Sequence, residues 1–377
     1  MYNRTGSLDL IKKINRNLVL DMIRSEKKIS RALVAKKLGL SRSTVTSIVN
    51  ELIKKKFVVE TGFGDSTKEG GRRGIELGFN PKSGYGIGVD IGRTRTLIVL
   101  TDLDGEIEYK EECKTTATVE ETLELIQAFI QKSGIEKDRI LGMGIGLPGI
   151  VDSREGVILD VPALNWGNIN LVEKAKNYFA FPVYVNNDVN FAALGERWLG
   201  SEGMTDNMFF IAIGTGVGGA IIANGELIEG YRYSAGEINR FIDREDLARN
   251  RRNGPGEMGA FEQQISAFAL ERSGISPEEL FARYTRAEPE AVRIIDGFVQ
   301  YLSITIANIV SLLNPQRVII GGGVSGSMST VIEDIRKQVS DLTPIPTEIK
   351  LARLGRDAGG LGAVAYVFQQ LQDAEDL

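Results

Sequence analysis

The 377-residue sequence contains no histidine. Imidazole general bases, histidine metal ligands and histidine-based pH switches are therefore excluded, so any acid–base chemistry must use carboxylates, lysine or tyrosine. A single cysteine, Cys113, excludes an intrachain disulfide framework and favours a reducing interior. The longest apolar run, 209–222, is short and broken by glycine, and the N-terminus lacks an apolar signal-peptide core. We therefore expect neither secretion nor a membrane span, and a cytoplasmic location.

Charge is divided unevenly along the chain. Residues 1–80 contain 17 Lys+Arg and 8 Asp+Glu, whereas the other 297 residues contain 28 and 42, which gives net charges of +9 and −14. Attraction to the phosphate backbone is a common reason for concentrating positive charge in one segment of an acidic protein. The pattern predicts a nucleic-acid-binding module at the N-terminus. The alternative is a lysine-rich, solvated pair of helices.

The segment 30–55 resembles a helix-turn-helix. Ser30 is a candidate N-cap for a short helix that ends at Gly39, and Ser41 can cap a second helix with an inner stripe of Val45, Ile48, Val49 and Leu52. Short hydroxyl side chains and arginine at the start of such a recognition helix can reach base edges and phosphates in the major groove. Arg42 is the best base-edge candidate. The other candidate DNA contacts here are Arg31, Ser41, Ser43, Thr44, Thr46 and Ser47.

Two short strands, 57–60 and 74–79, are predicted around a polar turn, which is typical of the wing of a winged helix. Arg72 and Arg73 lie between two glycines in that turn and are suited to a narrow minor groove or to phosphates. A flexible charged linker is the alternative for these two arginines.

Three glycine-rich segments follow apolar strands in the rest of the chain. Strands at 84–110 flank Asp90, Gly92 and Thr94, a second glycine hairpin lies within 209–222, and a third glycine cluster, Gly321 to Gly323, follows a predicted strand at 317–320. Bare backbone at such turns can cradle a phosphate or its magnesium ion. Together the three segments resemble the actin-like sugar-kinase fold, in which two related lobes clasp a nucleotide. The candidate nucleotide-binding residues are Asp90, Gly92, Thr94, Gly214, Thr215, Gly216, Gly322 and Gly323.

Further motifs, at 142–152, 161–166, 185–196 and 235–238, together with the N-terminal module, resemble the ROK family of repressors, open reading frames and kinases, and in particular its transcriptional-regulator branch. The resemblance implies an α/β chain in which a winged helix-turn-helix precedes a two-lobed actin-like body. We expect the DNA-binding domain at 1–80, the first lobe at 81–200 plus 358–377, and the second lobe at 201–357.

The resemblance also implies site residues. In the kinases of the family, the aspartate that matches Asp188 takes the proton from the attacking sugar hydroxyl, and the asparagine that matches Asn187 holds the sugar. Carboxylates and carboxamides suit polyols because they form paired hydrogen bonds with vicinal hydroxyls. The remaining sugar contacts implied in this way are Gly149, Asn165, Glu237, Arg240 and Glu262.

The sequence departs from the family at its zinc site. Arg240 stands where the family has a histidine that touches the sugar and binds zinc, and the three zinc cysteines fall on Asn253, Pro255 and Ala260. Arginine, proline and alanine cannot ligate zinc, so we expect no structural zinc and no other metal site. Arg240 either forms an ion pair with a nearby carboxylate or reaches an oxygen of the ligand.

The first glycine hairpin departs as well, because Arg93 precedes Thr94 where active kinases usually have a second glycine. Its side chain would crowd the approach of a phosphate or, if turned away, bind the phosphate directly. The presence of Asp188 does not establish catalysis, since the same residues can serve only to bind sugar in repressors of this family.

Two functions are compatible with these features. The first is a sugar-responsive transcriptional regulator, with a palindromic DNA operator, a small sugar effector, a homodimer or larger homo-oligomer, and no required cofactor. The second is an ATP-dependent hexose or N-acetylhexosamine kinase that uses ATP and Mg²⁺ and has Asp188 as its base. The sequence does not identify the sugar or the operator.

Overall fold

The N-terminal module is a winged helix-turn-helix. The structure is a computed structural model that describes residues 8–63, 74–200, 205–254 and 257–374. The elements of the module are α1 (Leu8–Glu26), β1 (Ile29–Ser30), α2 (Arg31–Leu38), α3 (Arg42–Lys54), β2 (Val58–Phe63) and β3 (Ile75–Phe79). The strands form a three-stranded antiparallel sheet in the order β1-β3-β2.

Local capping explains where the two central helices begin and end. The hydroxyl of Ser30 accepts a hydrogen bond from the N–H of Leu33, and that of Ser41 accepts one from Thr44. Gly39 ends α2 in the left-handed conformation, with φ of +64°. These are the positions where serine and glycine satisfy the unpaired backbone groups of helix ends.

The first lobe is built on a five-stranded sheet in the order β11-β7-β4-β5-β6. A small sheet, β10-β9-β8, lies beside it. The elements are β4 (Tyr85–Ile91), β5 (Arg95–Asp102), β6 (Ile107–Lys114), α4 (Val119–Ser133), β7 (Ile140–Leu147), β8 (Ile150–Asp152), β9 (Val157–Val161), β10 (Trp166–Asn170), α5 (Leu171–Ala175), β11 (Val183–Asn187) and α6 (Asp188–Gly195).

The second lobe repeats this plan. Its five-stranded sheet has the order β14-β13-β12-β15-β16. The elements are β12 (Met208–Ile213), β13 (Val217–Ala223), β14 (Glu226–Ile228), α7 (Arg244–Ala248), α8 (Glu262–Ile265), α9 (Ala267–Glu271), α10 (Pro277–Thr285), α11 (Pro289–Leu313), β15 (Arg317–Gly321), α12 (Ile332–Leu342) and β16 (Glu348–Leu351).

In each lobe, three antiparallel strands joined by hairpins are followed by two parallel strands on one side. The glycine hairpin between the first two strands therefore occupies the same place in each lobe. This repetition brings the β4–β5 turn and the β12–β13 turn to a common cleft.

The last helix, α13 (Ala358–Ala374), packs against α6, β4 and β7 of the first lobe. Its residues Val364, Val367 and Phe368 share a hydrophobic cluster with Val19 and Ile23 of α1, so the DNA-binding module and the first lobe have a continuous core. The division of the chain into domains at residues 80, 200 and 357 stays a prediction.

Helix α11 forms the centre of the second lobe. Ile295, Phe298, Leu302 and Ile306 are at most 2% exposed and lie in the largest apolar cluster of that lobe. Within the described residues it is the one helix long and apolar enough to cross a membrane, and more than half of that stretch is buried. Such burial is typical of a core helix.

Candidate functional site

A cavity of about 740 Å³ lies between the two lobes. Its walls come from the ends of β4 and β11, the β12–β13 turn, the segment after β15, and the segment that leads into α13. The predicted residues that line it are Asp90, Asp188, Gly214, Thr215, Gly322 and Gly323. The structure thus brings together residues from the three glycine-rich segments and the β11–α6 junction.

Two of the glycine turns meet at the floor of this cavity. A Cβ on Gly322, which has φ of +86°, would lie 2.4 Å from the carbonyl oxygen of Ile213, at the end of β12. The N–H of Gly214 donates to the carbonyl of Gly216 and closes the β12–β13 hairpin at 2.8 Å. Only glycine permits the close approach of Gly322 to Ile213. The backbone there carries no side chain, so a polar ligand can approach it. The first hairpin closes in the same way, with a bond of 2.9 Å from Gly92 to Arg95.

The β11–α6 junction fixes Asn187 and Asp188. Asn187 is the N-cap of α6, because its side-chain oxygen accepts hydrogen bonds from Val189 and Asn190. Its amide nitrogen donates to the carbonyl oxygen of Gly149 at 3.1 Å. Asn187 is therefore used to hold the helix and the Gly149 loop, which leaves one amide hydrogen available for a sugar.

Asp188 has an unusual protonation equilibrium. Burial, the nearby carboxylate of Asp90 and, more weakly, Glu237 raise its pKa to about 8, against hydrogen bonds from backbone N–H groups that oppose the shift. The free protein at neutral pH therefore holds a protonated Asp188. A carboxylic acid can donate a hydrogen bond to a sugar oxygen, whereas a general base must first lose this proton.

Asp90 shares this environment. Burial raises its pKa to about 6, and Arg95 opposes the shift. A Cβ on Gly359 would lie 2.6 Å from Asp90 Oδ2, so the start of α13 packs directly against the carboxylate. Arg95 lines the cavity and forms an ion pair with Glu112 at 3.1 Å.

Glu237 and Glu262 approach the same region from the second lobe. Glu262 accepts hydrogen bonds from the N–H groups of Val217, at 3.1 Å, and Gly259, at 3.3 Å. Burial raises the pKa of Glu262, and the negative charge of Glu237 acts in the same direction. Glu237 and Glu262 are thus electrostatic neighbours, and Glu237 is also a neighbour of Asp188.

Asn165, Arg240, Thr94 and Arg93 are all exposed. Asn165 adopts the left-handed conformation before β10. The structure does not contain the ion pair considered for Arg240, since no carboxylate of the described residues lies within 4 Å of its guanidinium. Arg93 lowers the pKa of Glu262, which places its positive charge near the second-lobe wall of the cleft.

In the loop that resembles the family's zinc site, the side-chain amide of Asn253 forms the crosslink. Asn253 Nδ2 donates to the carbonyl of Arg240 at 2.5 Å, and Asn253 Oδ1 accepts from the N–H of Ala260 at 2.9 Å. The side chain at one former cysteine position thus links two other former ligand positions. Neither Arg240 nor Ala260 can ligate zinc, so the donor set does not fit that metal. Pro255 lies outside the described residues.

Sequence reasoning did not single out several residues of the cavity wall. These are Arg95, Glu271, Arg353 and Arg356. The arginine side chains give the cavity positive charge opposite Asp90 and Asp188. The available signal was their place in the sequence, since Arg95 begins β5 directly after the first glycine hairpin and Arg353 and Arg356 follow the end of β16.

The recognition helix α3 presents the predicted polar face. Arg42, Ser43, Thr46 and Ser47 are exposed, and Thr44 is half-buried. Ser41 Oγ lies 2.8 Å from the hydroxyls of both Ser43 and Thr44, and the Thr46 hydroxyl donates to the carbonyl of Arg42. These bonds orient the hydroxyls, and the guanidinium of Arg42 remains outside them.

Arg31 is engaged within the module. Its guanidinium forms an ion pair with Glu60 of β2 at 2.9 Å. Arg31 begins α2 and faces the wing, where a phosphate contact is compatible with its position. A DNA phosphate would then compete with Glu60 for the guanidinium. Arg72 and Arg73 lie outside the described residues.

A basic groove between α1 and α3 extends this surface. A cavity of about 530 Å³ is lined by Lys12, Lys13 and Arg16 of α1 and by Thr44, Ser47 and Glu51 of α3, and the Glu51 carboxylate lies 3.8 Å from the Arg16 guanidinium. The sequence analysis assigned no DNA contact to α1 and missed these three cations. The signal was the basic pair at 12–13 on a helix that precedes the helix-turn-helix.

Comparison with known proteins agrees with both parts of the geometry. The ROK family profile matches residues 86–370, and a winged helix-turn-helix DNA-binding profile matches residues 14–59. The chain belongs to the ROK family. Its fold is accordingly a winged helix-turn-helix joined to a ROK body of the actin-like sugar-kinase type, as predicted.

Three proteins illustrate what the chain is similar to. It is 32% identical to the xylose repressor of Caldicellulosiruptor bescii over 97% of this chain and 98% of the relative. The structure of a ROK family transcriptional regulator, a homologue of the Escherichia coli MLC protein, superposes with a TM-score of 0.81 at 26% identity, covering 96% of this chain and 97% of the other. A ROK family glucokinase from Streptomyces griseus, solved with glucose and AMPPNP, has a TM-score of 0.65 at 28% identity and covers 76% of this chain and 100% of its own.

Proposed function

We propose that this protein is a sugar-responsive transcriptional repressor that acts in the cytoplasm. The observation that carries the proposal is that one chain has both an exposed recognition helix and an interlobe cleft lined with carboxylates. The module that contains the helix shares a continuous core with the first lobe. Relatives that match nearly the full chain, including those from Caldicellulosiruptor bescii and Bacillus subtilis, are named xylose repressors.

The recognition surface is assigned to operator DNA. Arg42 reads a base edge, the hydroxyls of Ser43, Thr46 and Ser47 contact bases or phosphates, and Lys12, Lys13 and Arg16 contact the phosphate backbone beside them. Ser41 and Thr44 set the geometry of the helix start. Arg31, Arg72 and Arg73 are assigned to phosphates or the minor groove at the wing.

The effector is assigned to the cleft between Asp188, Asn187 and Gly149 on one lobe and Glu237 and Glu262 on the other. Asn165 and Arg240 would join this set when the lobes close. A ligand can release DNA only if it binds two lobe arrangements with different affinity, and a site divided between lobes has this property. D-Xylose is the first sugar to test, given the names of the relatives.

The operator is proposed to be a palindrome read by a homodimer or a larger homo-oligomer. Winged helix-turn-helix proteins read half-sites about one helical turn apart, and a twofold protein requires a twofold site.

The deciding experiment is selection of DNA from a random-sequence library by the full chain at near-physiological salt, followed by titration with D-xylose, D-glucose and N-acetyl-D-glucosamine. We expect a shared palindrome and one sugar that changes its Kd. Recovery of only sequence-blind, salt-sensitive binding, or no response to any sugar, would contradict the corresponding half of the proposal.

A sugar kinase is the second candidate, favoured by the retained Asp188 and the glycine turns at 214–216 and 322–323. ATP and Mg²⁺ would lie against these turns, and Asp188 would accept the hydroxyl proton. The protonated state of Asp188 and the exposed Arg93 count against efficient transfer. A coupled assay of ATP consumption with the three sugars separates the two functions.

A further inference from the structure

The two chain segments that connect the lobes are tied together by one buried carboxylate. A π-helical turn, Glu196–Gly200, follows α6 directly and leads towards the second lobe. Glu196, which is 1% exposed, accepts hydrogen bonds from the N–H groups of Arg353, at 3.0 Å, and Leu354, at 2.7 Å, on the returning segment. A Cβ on Gly200 would lie 1.9 Å from Glu196 Oε2, so a side chain at that position would displace this carboxylate. Both connections between the two lobes pass through this junction, which is called the hinge below because movement of one lobe relative to the other would bend it.

Helix α6 joins the proposed sugar site to this hinge. Asp188 is its first residue and Glu196 directly follows its last, a distance of about 12 Å at 1.5 Å per residue. A Cβ on Gly362 of α13 would lie only 1.5 Å from the carbonyl oxygen of Phe191, and one on Gly195 would lie 2.4 Å from that of Ala358. With no space between α6 and α13, displacement at one end of the pair is transmitted to the other.

The hinge contacts the turn between β5 and β6. A Cβ on Gly105 would lie 2.6 Å from Leu199 Cδ1 and 2.9 Å from Trp198 Cη2. The buried carboxylate of Asp102 accepts hydrogen bonds from the N–H groups of Asp104 and Glu106, which gives this turn a fixed shape. A shift of the π-helical turn therefore displaces the β5–β6 turn.

The same turn holds the DNA-binding module. Arg24 of α1 forms an ion pair with Asp104 at 2.7 Å and donates to the carbonyl oxygen of Leu103 at 2.8 Å. Its guanidinium also lies 5.3 Å from the centre of the Phe79 ring in the wing. Arg24 thus links α1, to which it belongs, to both the β5–β6 turn and the wing.

We propose that lobe movement is transmitted to the DNA-binding module through this chain of contacts, from Asp188 along α6 to Glu196 and Trp198, and from there through the β5–β6 turn to Arg24. The inference rests on the proposed function, since it describes how the sugar site controls the DNA site. Asp104 and Arg24 are positioning residues in it and contact neither ligand.

The test is Asp104→Asn, which keeps the shape of the side chain and removes its charge. The matched control is Glu111→Gln, which weakens an ion pair of equal length, 2.7 Å, with Lys132 on the same lobe. Operator Kd is measured with and without D-xylose, D-glucose and N-acetyl-D-glucosamine, and sugar Kd by calorimetry. If a sugar changes the parent's operator Kd tenfold, we expect less than threefold in Asp104→Asn, tenfold in the control, and sugar Kd within twofold of the parent in both.

A second readout needs no sugar. Because coupling is reciprocal, operator binding should alter hydrogen exchange at residues 196–200 and 353–354 in the parent and leave it unaltered in Asp104→Asn. A parent that responds and an Asp104→Asn variant that responds equally would overturn this inference alone. A parent whose operator binding no sugar changes would overturn the proposed function, and this inference with it.

Discussion

At the scale of single residues, Asp188 links the cleft to the stability of the protein. Its folded pKa of about 8 lies far above the ordinary value of 3.8, so between these values the folded state holds a proton that the unfolded state has lost. The contribution of this residue therefore becomes less favourable as pH rises from about 4 to 8.

Asp188→Asn should remove this dependence. One pKa unit corresponds to about 1.4 kcal/mol, and we expect the variant to be more stable than the parent by at least about 1 kcal/mol at pH 8, with the difference vanishing near pH 4. Thermal unfolding across this pH range measures it. Asp341→Asn, at an exposed position on α12, serves as the control; an equal gain there, or a gain for Asp188→Asn that does not vary with pH, would contradict the assignment.

Asn253 illustrates how an amide can replace a metal crosslink. Asn253→Ala removes both of its hydrogen bonds and leaves the N–H of Ala260 without this partner, so we expect a loss of about 1–3 kcal/mol in the free energy of unfolding. Denaturant unfolding measures it, with the neighbouring, exposed Arg252→Ala as control. A parent whose unfolding temperature falls on addition of EDTA would show instead that a metal holds this loop.

At the scale of elements, we expect the two ends of α3 to contribute to DNA binding in different ways. Arg42→Ala should weaken operator binding by about 1–3 kcal/mol, with a much smaller effect on unrelated DNA, because a base-edge contact carries sequence information. Lys54→Ala, at the other end of α3, removes the same charge from an exposed position and should weaken both DNAs slightly and equally. Fluorescence anisotropy with the two DNAs distinguishes the variants, and equal losses for both would assign Arg42 to phosphate.

The elements that sequence predicts well are those set by neighbours in the chain. Ser30, Gly39 and Ser41 fixed the ends of α2 and α3, and the glycine hairpins were expected from local pattern. The partners of Glu196 lie more than 150 positions away and carry no recognisable motif. The ends of β2 were also misplaced, since this strand continues to Phe63 beyond the predicted 57–60, because pairing with β3 extends it.

At the scale of the whole molecule, the opposed charges of module and body govern DNA binding. The module, at +9, attracts phosphates, while the body, at −14, repels DNA that is not held at the recognition surface. The phosphate contacts proposed for Lys12, Lys13 and Arg16, in each half of the proposed dimer, would neutralise about six phosphates.

We therefore expect operator affinity to fall about a thousandfold between 50 and 200 mM salt, as counterion release predicts for roughly six phosphate contacts. Filter binding or anisotropy over this range gives the slope. Lys12→Ala combined with Lys13→Ala should reduce the slope without altering sequence preference. An unchanged slope would remove the α1 groove from the interface.

The two-lobed body explains why sugar and DNA sites can be distant yet connected. Each lobe has its own sheet and core, and a further apolar cluster that joins Phe191 of α6 to Phe210 and Ile222 of the second-lobe sheet must yield in any relative motion of the lobes. The Asn186 side chain donates to Glu229 of the second lobe at 2.9 Å, which restrains that motion at the end of α6 remote from the hinge.

The shared cluster between α1 and α13 also has a consequence for biosynthesis. The DNA-binding module leaves the ribosome first, but Val364, Val367 and Phe368, against which it rests, are added only after the whole body has been translated. At typical rates of synthesis this delay is on the order of tens of seconds. A nascent or prematurely terminated chain therefore exposes a DNA-binding module that lacks its packing partner, α13. Only a fully translated polypeptide can place this module under the control of the sugar cleft.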